Sequence, residues 1–203
     1  MPRCFGGDVL TVAYIRQRRE KGYLSVGVRS EGGVSALVVS ERDFMKMGPL
    51  SLGDEIDDGV YSRLLSLDEK FRSKKKAFSV LSYGDNSKRR LLYKLTSSGI
   101  DKACAESTVS EMEALGYLNE SRQIEREVLR CAERLWGPRK IMSRLISKGY
   151  NAADVRSVIG GLISRGELDF DSSRTLLCER AEADGLDSEQ TKKLLYKYGY
   201  TVC

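Results

Sequence analysis

The 203-residue sequence contains no histidine, only one tryptophan and three prolines. Without histidine there can be no Ser-His or Cys-His nucleophile pair, no histidine-ligated metal and no imidazole base near neutral pH. A glycine-rich phosphate loop followed by Lys-Ser or Lys-Thr is also missing from the sequence. We therefore expect a protein that is not an enzyme, with no catalytic residue and no cofactor.

The cysteines and the apolar runs are also sparse. Five cysteines are scattered along the chain, and no two have the two-residue gap of a zinc site. They are Cys4, Cys104, Cys131, Cys178 and Cys203. We expect no metal site, reduced thiols in a reducing compartment, and core positions for the cysteines at 131 and 178. The longest apolar run, near 35–39, is too short to cross a bilayer. We expect a cytoplasmic monomer that makes no membrane contact.

Charge is unevenly distributed along the chain, whose formal net charge is +5. The segments 1–65, 66–118, 119–168 and 169–203 carry net charges of 0, +3, +4 and −2. Nine cations and one anion lie between residues 70 and 100. Such a concentration predicts a polyanionic partner, either a nucleic acid or an acidic protein surface.

The first 65 residues predict a small α+β unit. Apolar, β-branched and alternating patterns indicate three antiparallel strands, and Ser40 is a suitable N-cap for a short helix. The predicted elements are strands at 9–15, 23–28 and 34–39 and helices at 41–47 and 55–65. The basic loop at 16–21 is predicted to be a hairpin tip, which is either solvated or in contact with a partner.

From residue 66 onward the pattern is helical and repeats every fifty residues. Leucines coincide at 95, 145 and 195, and glycines suited to helix C-termini coincide at 99, 149 and 199. We expect three-helix repeats at 66–118 and 119–168, and a truncated third repeat of two helices at 169–203. The predicted helices are 68–83, 87–98, 102–115, 120–136, 139–148, 152–165, 171–183 and 188–198.

The fold class that follows is mainly α, with tandem repeats stacked in an elongated or curved array beside the small N-terminal sheet. Such arrays present binding surfaces. On the middle helix of the second repeat, Lys140, Arg144 and Lys148 lie four residues apart, beside the apolar positions of that helix. The candidate binding surface comprises Lys88, Arg89, Arg90, Lys94, Arg139, Lys140, Arg144 and Lys148. The alternative is the solvated face of amphipathic helices. Trp136 either packs under its turn or anchors a partner.

Several motifs, taken in order, resemble the RecX family of bacterial regulators of the RecA recombinase. They are LGDEI at 52–56, a basic helix at 88–95, LGYLN at 115–119, GPRKI at 137–141 and SKGY at 147–150. The resemblance spans about the whole chain. It implies tandem three-helix repeats and binding in the groove of the RecA filament on single-stranded DNA. It also implies inhibition of ATPase, recombinase and coprotease activities, and a role in DNA repair, homologous recombination and the SOS response.

The sequence departs from the family pattern in two places. Glu120, Gln123 and Ile124 stand where the family usually has Asp, an aromatic residue and Ala, and the third repeat is acidic and lacks its last helix. A second function stays open, that of a direct nucleic-acid binder resembling helix-turn-helix proteins. Against it, the basic residues are not concentrated on one recognition helix beside Asn or Gln. A weak direct contact with DNA is compatible with either function.

Overall fold

The computed structural model describes residues 9–201. Over that range the chain forms a small antiparallel sheet followed by a mainly helical region, which confirms the predicted fold class. Contacts divide it into two compact units, one made of residues up to 79 with 95–108 and the other of 80–94 with the residues from 109 onward. The elements are β1 (Leu10–Gln17), β2 (Tyr23–Ser30), β3 (Gly33–Ser40), α1 (Glu41–Lys46), β4 (Glu55–Ile56), α2 (Asp58–Ser82), α3 (Lys88–Thr96), α4 (Lys102–Ala114), α5 (Glu120–Ala132), α6 (Pro138–Ser147), α7 (Ala152–Ser164), α8 (Phe170–Ala183) and α9 (Ser188–Tyr198).

The sheet has the strand order β3-β2-β1-β4, with every neighbouring pair antiparallel. The three strands predicted from sequence are present. The start of the helix predicted at 55–65 is wrong, because residues 55 and 56 form the strand β4, which is too short to show an alternating pattern. One face of the sheet is buried against α1 and α2 through a core that includes Val12, Val26, Leu37, Phe44 and Leu64. Ser40 caps α1 as predicted, because its hydroxyl accepts the Asp43 N–H at 3.1 Å.

Helix α2 differs from the prediction, which placed two helices between residues 55 and 83. The structure has one continuous helix of 25 residues. Within this helix Asp68 is buried, and its carboxylate accepts the backbone N–H of Val38 on β3 at 2.9 Å and pairs with Arg72 at 2.8 Å. Its side chain therefore fastens the middle of the helix to the sheet.

The helical region repeats its local geometry every fifty residues. Asn119 and Asp169 cap α5 and α8 with nearly equal backbone angles (φ −132° and −131°). Gly149 and Gly199, which follow α6 and α9, are both left-handed at φ 91° and 93°. The helices predicted between 87 and 198 are all present with small shifts at their ends. The largest core cluster of this region, formed by α5, α6 and α7, contains ten buried residues among those described.

Several expectations concern chemistry rather than shape. Cys104, Cys131 and Cys178 are free thiols; Cys131 is buried, whereas Cys178 is only partly buried. Cys4 and Cys203 lie outside the described residues. Burial raises the pKa of the thiols of Cys104 and Cys131. Between residues 9 and 201, no group of three or more potential metal ligands comes together, and no helix is both long and apolar enough to span a membrane.

Candidate binding surface on helices α6 and α9

Helix α6 separates an apolar face from a cationic face. Ile141 and Leu145 are fully buried in the core that α6 shares with α5 and α7. Lys140, Arg144 and Lys148 lie on the neighbouring face and are partly exposed. The predicted spacing of four residues therefore does place these three cations on one side of the helix.

The N-terminus of α6 meets the C-terminus of α9. The N–H of Gly137 donates to the carbonyl of Tyr198 at 2.7 Å, and the N–H of Arg139 donates to the carbonyl of Gly199 at 3.2 Å. These bonds satisfy two groups that helix ends otherwise leave unpaired. Gly199 is needed here because an added Cβ would lie 2.5 Å from the Cβ of Lys140. This contact between helix ends brings α9 beside the cations of α6.

The same kind of contact occurs once more, one repeat earlier. The hydroxyl of Ser87, just before α3, donates to the carbonyl of Lys148 at the end of α6 at 2.9 Å. The middle helices α3, α6 and α9 of successive repeats thus meet end to end. The start of α3, with Arg89, therefore lies beside the end of α6 at Gly149.

A groove with a volume of about 530 Å³ lies between α6 and α9. Its walls combine cations, aromatic rings and small polar groups, namely Trp136, Arg139, Lys140, Ser143, Arg144, Ser147, Tyr196, Lys197 and Gly199. We call this the α6/α9 groove. It lies entirely within the second unit.

Cations in the α6/α9 groove stack on its aromatic rings. The Lys140 ammonium is 4.3 Å from the centre of the Trp136 ring and 5.1 Å from that of Tyr198. The guanidinium of Arg139 is 5.1 Å from the centre of the Tyr196 ring. Stacking on a ring holds a cation in place while leaving its charge available to an anion. The groove therefore presents ordered positive charge.

A left-handed residue positions Trp136. Leu135 has φ 58°, the only positive value outside glycine among the described residues. An aliphatic side chain adopts this conformation at an energetic cost, which surrounding contacts must offset. The backbone N–H of Trp136 donates to the backbone carbonyl of Cys131 at 3.2 Å. The indole ring is partly buried against the core of α5–α7. Packing under the turn, one of the two roles considered from sequence, is thus observed, with one ring surface facing Lys140.

One buried carboxylate, Glu127 of α5, organises the rest of the cationic face. It is 7% exposed, and its oxygens accept hydrogen bonds from Arg144 (2.7 Å), Lys148 (2.7 Å) and Arg130 (3.3 Å). Burial alone would raise the pKa of this carboxyl. Hydrogen bonds and charge from Lys148 and Arg144 outweigh burial and hold the pKa at about 2. Two of the three predicted cations on α6 are therefore paired, while Lys140 is stacked on rings.

The cations of the first repeat are placed differently. Lys88 pairs with Glu113 at 2.5 Å, and that contact raises the pKa of its ammonium. Lys94 donates to the amide oxygen of Asn86 at 2.8 Å. Arg89 and Arg90 are exposed at the start of α3. The exposed cations of the first repeat, Arg89 and Arg90, thus lie near the contact between the start of α3 and the end of α6.

Sequence reasoning missed the part of the groove that α9 supplies and the carboxylate behind it. The candidate surface predicted from sequence included no residue of α9, whereas Tyr196 and Lys197 line the groove and the Tyr198 ring lies beside Lys140. The fifty-residue repeat could have revealed this contribution, because it aligns Gly199 with Gly149. Gly149 follows α6 where that helix meets the start of α3, so Gly199 is expected where α9 meets the start of α6. Glu127 was detectable as a charge between Ile124 and Val128 on the apolar face of α5.

Comparison with known proteins finds a relative in sequence. The chain is 25% identical over 150 residues to the regulatory protein RecX of Clostridioides difficile (strain 630), covering 73% of this chain and 68% of that protein. The chain is similar to RecX. No family model matches the chain. The similarity to RecX therefore rests on this relative, together with the motifs and the fold.

Solved RecX structures share this fold. One crystal structure of a regulatory protein RecX superposes with a TM-score of 0.70 at 14% identity, covering 95% of both chains. RecX from Lactobacillus salivarius superposes with a TM-score of 0.56 at 19% identity, covering 66% of this chain and 90% of the other. The Clostridioides difficile relative is named a regulatory protein.

Proposed function

We propose that this protein binds the RecA recombinase filament on single-stranded DNA and inhibits its ATPase, recombinase and coprotease activities. The observation that carries the proposal is the α6/α9 groove, where ring-stacked cations and exposed tyrosine form an ordered basic surface. The similarity to RecX, a family of RecA regulators, suggests the identity of the partner. Binding in the filament groove would obstruct the incoming duplex and hinder the movements that accompany ATP turnover.

The end-to-end contacts between α3, α6 and α9 support a mechanism in which one molecule touches more than one recombinase subunit. Cations follow this line of helices, from Arg89 and Arg90 to Arg139 and Lys197. Linked contacts along one rigid binder strengthen each other through their high effective concentration. Inhibition is therefore expected well below one molecule per recombinase subunit. It should weaken as salt rises, because salt screens exposed charges.

The experiment is a titration of the single-stranded-DNA-dependent ATPase of RecA with this protein. The test variant reverses two exposed cations of the α6/α9 groove, Arg139→Glu with Lys197→Glu. We expect its half-inhibitory concentration to rise at least about tenfold, because two attractive interactions become repulsive. Arg144 is left unchanged because it pairs with the buried Glu127, so its reversal would disturb folding.

The matched control makes the same charge change on other helices of the same unit, Arg156→Glu on α7 with Arg174→Glu on α8, where both arginines are exposed. This control should inhibit like the unmodified protein. Equal weakening by both pairs would mean that net charge, not the groove, drives binding. Full inhibition by the Arg139/Lys197 variant would remove the groove from the proposal, and no inhibition by the unmodified protein would refute it.

Direct binding to nucleic acid is the second candidate, favoured by the aromatic rings of the α6/α9 groove. Tyr196 is 63% exposed and bases stack readily on such rings. A gel shift on the same DNA without RecA separates the two candidates. Inhibition that begins only where the protein coats naked DNA would favour the direct binder, whereas inhibition far below that concentration would favour filament binding.

A further inference from the structure

The sheet of the first unit leaves one face open to solvent. Residues alternate along β1, β2 and β3, so that the valines and leucines of the core point to one side. The other side carries Arg16 and Arg29, both exposed, with small residues between them such as Ser25, Gly27 and Ala36. We call this side the outer sheet face. β3 adds Val34, which is 50% exposed, and the partly exposed Val38 to the same side.

Tyr14 lies flat on this face. It is opposite Gly27 in the β1–β2 register, and a Cβ on Gly27 would lie 2.3 Å from the ring carbon Cε1 of Tyr14. Glycine is therefore required for the ring to rest on the strand beside it. The guanidinium of Arg16 stacks above the same ring, 4.8 Å from its centre. The result is an aromatic surface with a cation on top of it.

Positive charge continues from the outer sheet face to helix α2. Arg18, at the end of β1, lies 5.6 Å from the centre of the Phe71 ring, and Lys75 lies 5.9 Å from it on the next turn of the helix. Tyr23 of β2 packs on Phe71 at 4.8 Å between ring centres, which fixes the hairpin to the helix. Glu20 bridges Arg18 and Lys75 at 3.0 and 3.6 Å.

Anions are few on this surface. Besides Glu20, the outer sheet face carries Glu55, which lies at the β4 edge opposite Thr11, and Glu31 is exposed in the turn between β2 and β3. Arg16 and Arg29 lie away from that edge, on β1 and β2. Among residues 9–201, no carboxylate forms an ion pair with either guanidinium group. This part of the face is consequently cationic.

We propose that the outer sheet face binds single-stranded nucleic acid, with a base stacked on the Arg16 guanidinium that covers Tyr14 and a phosphate on Arg29. An open sheet with a guanidinium plane held on a ring and a second cation beside it suits unpaired bases, which expose their ring surfaces and their backbone together. This site is separate from the α6/α9 groove and does not require the recombinase.

The test is fluorescence anisotropy of a labelled oligo-dT strand with the full chain and no recombinase, measured between about 50 and 300 mM salt. Reversing two cations, Arg16→Glu with Arg29→Glu, should weaken binding at least about tenfold at low salt. It should also reduce the slope of log affinity against log salt by about 0.7 for each phosphate that the variant no longer neutralises. Tyr14→Leu should weaken binding about tenfold with little change in the salt slope, whereas Tyr14→Phe should bind like the unmodified protein.

The control pair, Arg42→Glu with Arg63→Glu, makes the same charge change on exposed residues of α1 and of the first half of α2, the parts of these helices whose Phe44 and Leu64 lie in the core on the other side of the sheet. It should bind the strand nearly as well as the unmodified protein. An equal loss of strand affinity in both double variants would overturn the proposal, and so would unchanged affinity in the Arg16/Arg29 variant. Failure of the unmodified protein to bind the strand would overturn it as well. Circular dichroism of each variant excludes unfolding as the cause of a loss. The groove variant Arg139→Glu with Lys197→Glu should retain strand binding, so the two sites fail independently.

Discussion

At the scale of single residues, Glu127 controls the cationic face of α6. Replacing it with Gln leaves Arg144 and Lys148 facing each other without a counter-charge. We expect Glu127→Gln to lower the free energy of unfolding by about 3 kcal/mol at pH 7, since its pKa is held at about 2 against an ordinary value of 4.5. Urea denaturation measures this loss. The matched change is Glu125→Gln on the same helix, which breaks an exposed ion pair with Arg165 and should cost much less.

The Glu127 effect depends on pH in a direction that follows from its lowered pKa. Stability from this carboxylate is fully present above about pH 5, and it is lost as the pH falls from 4.5 towards 2, where the folded protein also takes up the proton. The gap between the unmodified protein and Glu127→Gln should close over that window. A gap that stays constant down to pH 2 would show that packing, not charge, explains the loss.

At the scale of elements, the contact between α6 and α9 depends on Gly199. Gly199→Ala must hold Ala at φ 93° and bring its Cβ within 2.5 Å of Lys140. The control is Gly185→Ala at the end of α8, where φ is 71° and no atom lies within 4 Å of the added Cβ. We expect the control to cost about 1 kcal/mol from its backbone alone and Gly199→Ala roughly 1–3 kcal/mol more from the clash. Equal losses in urea denaturation would mean that the helix ends separate without cost.

Helix ends could be predicted from the sequence, because the residues that form them act within a few positions along the chain. Asn119 and Asp169 cap their helices because a short polar side chain reaches the next free N–H groups, whatever lies elsewhere in the fold. The same holds for the left-handed glycines. Helix α2 was predicted as two helices, whereas in the structure it is continuous and Asp68 within it has a partner on β3, thirty residues earlier. Strand β4 exists only because β1 offers it a place at the sheet edge.

At the scale of the whole molecule, the helices differ in how much core they share. The cluster of α5, α6 and α7 contains ten buried residues, whereas the described cluster of α8 and α9 contains three, Leu177, Leu195 and Tyr200. We therefore expect amide protons in α9 to exchange faster than those in α7 in hydrogen exchange under native conditions. Equal protection in the two helices would contradict this expectation. It would imply that the end-to-end contact with α6 stabilises α9 as strongly as a larger core.

The sequence by itself determined the class of chemistry, the helical repeats and most helix ends. An absent histidine removes a kind of catalysis in any fold, and periodicity and caps act within a few residues. Only the tertiary structure decided which cations are available. Arg144 and Lys148 meet Glu127 from 17 and 21 residues away, and Tyr196 reaches Arg139 from another helix. Side-chain pairing between elements depends on distance in space, which residue spacing along the chain does not encode.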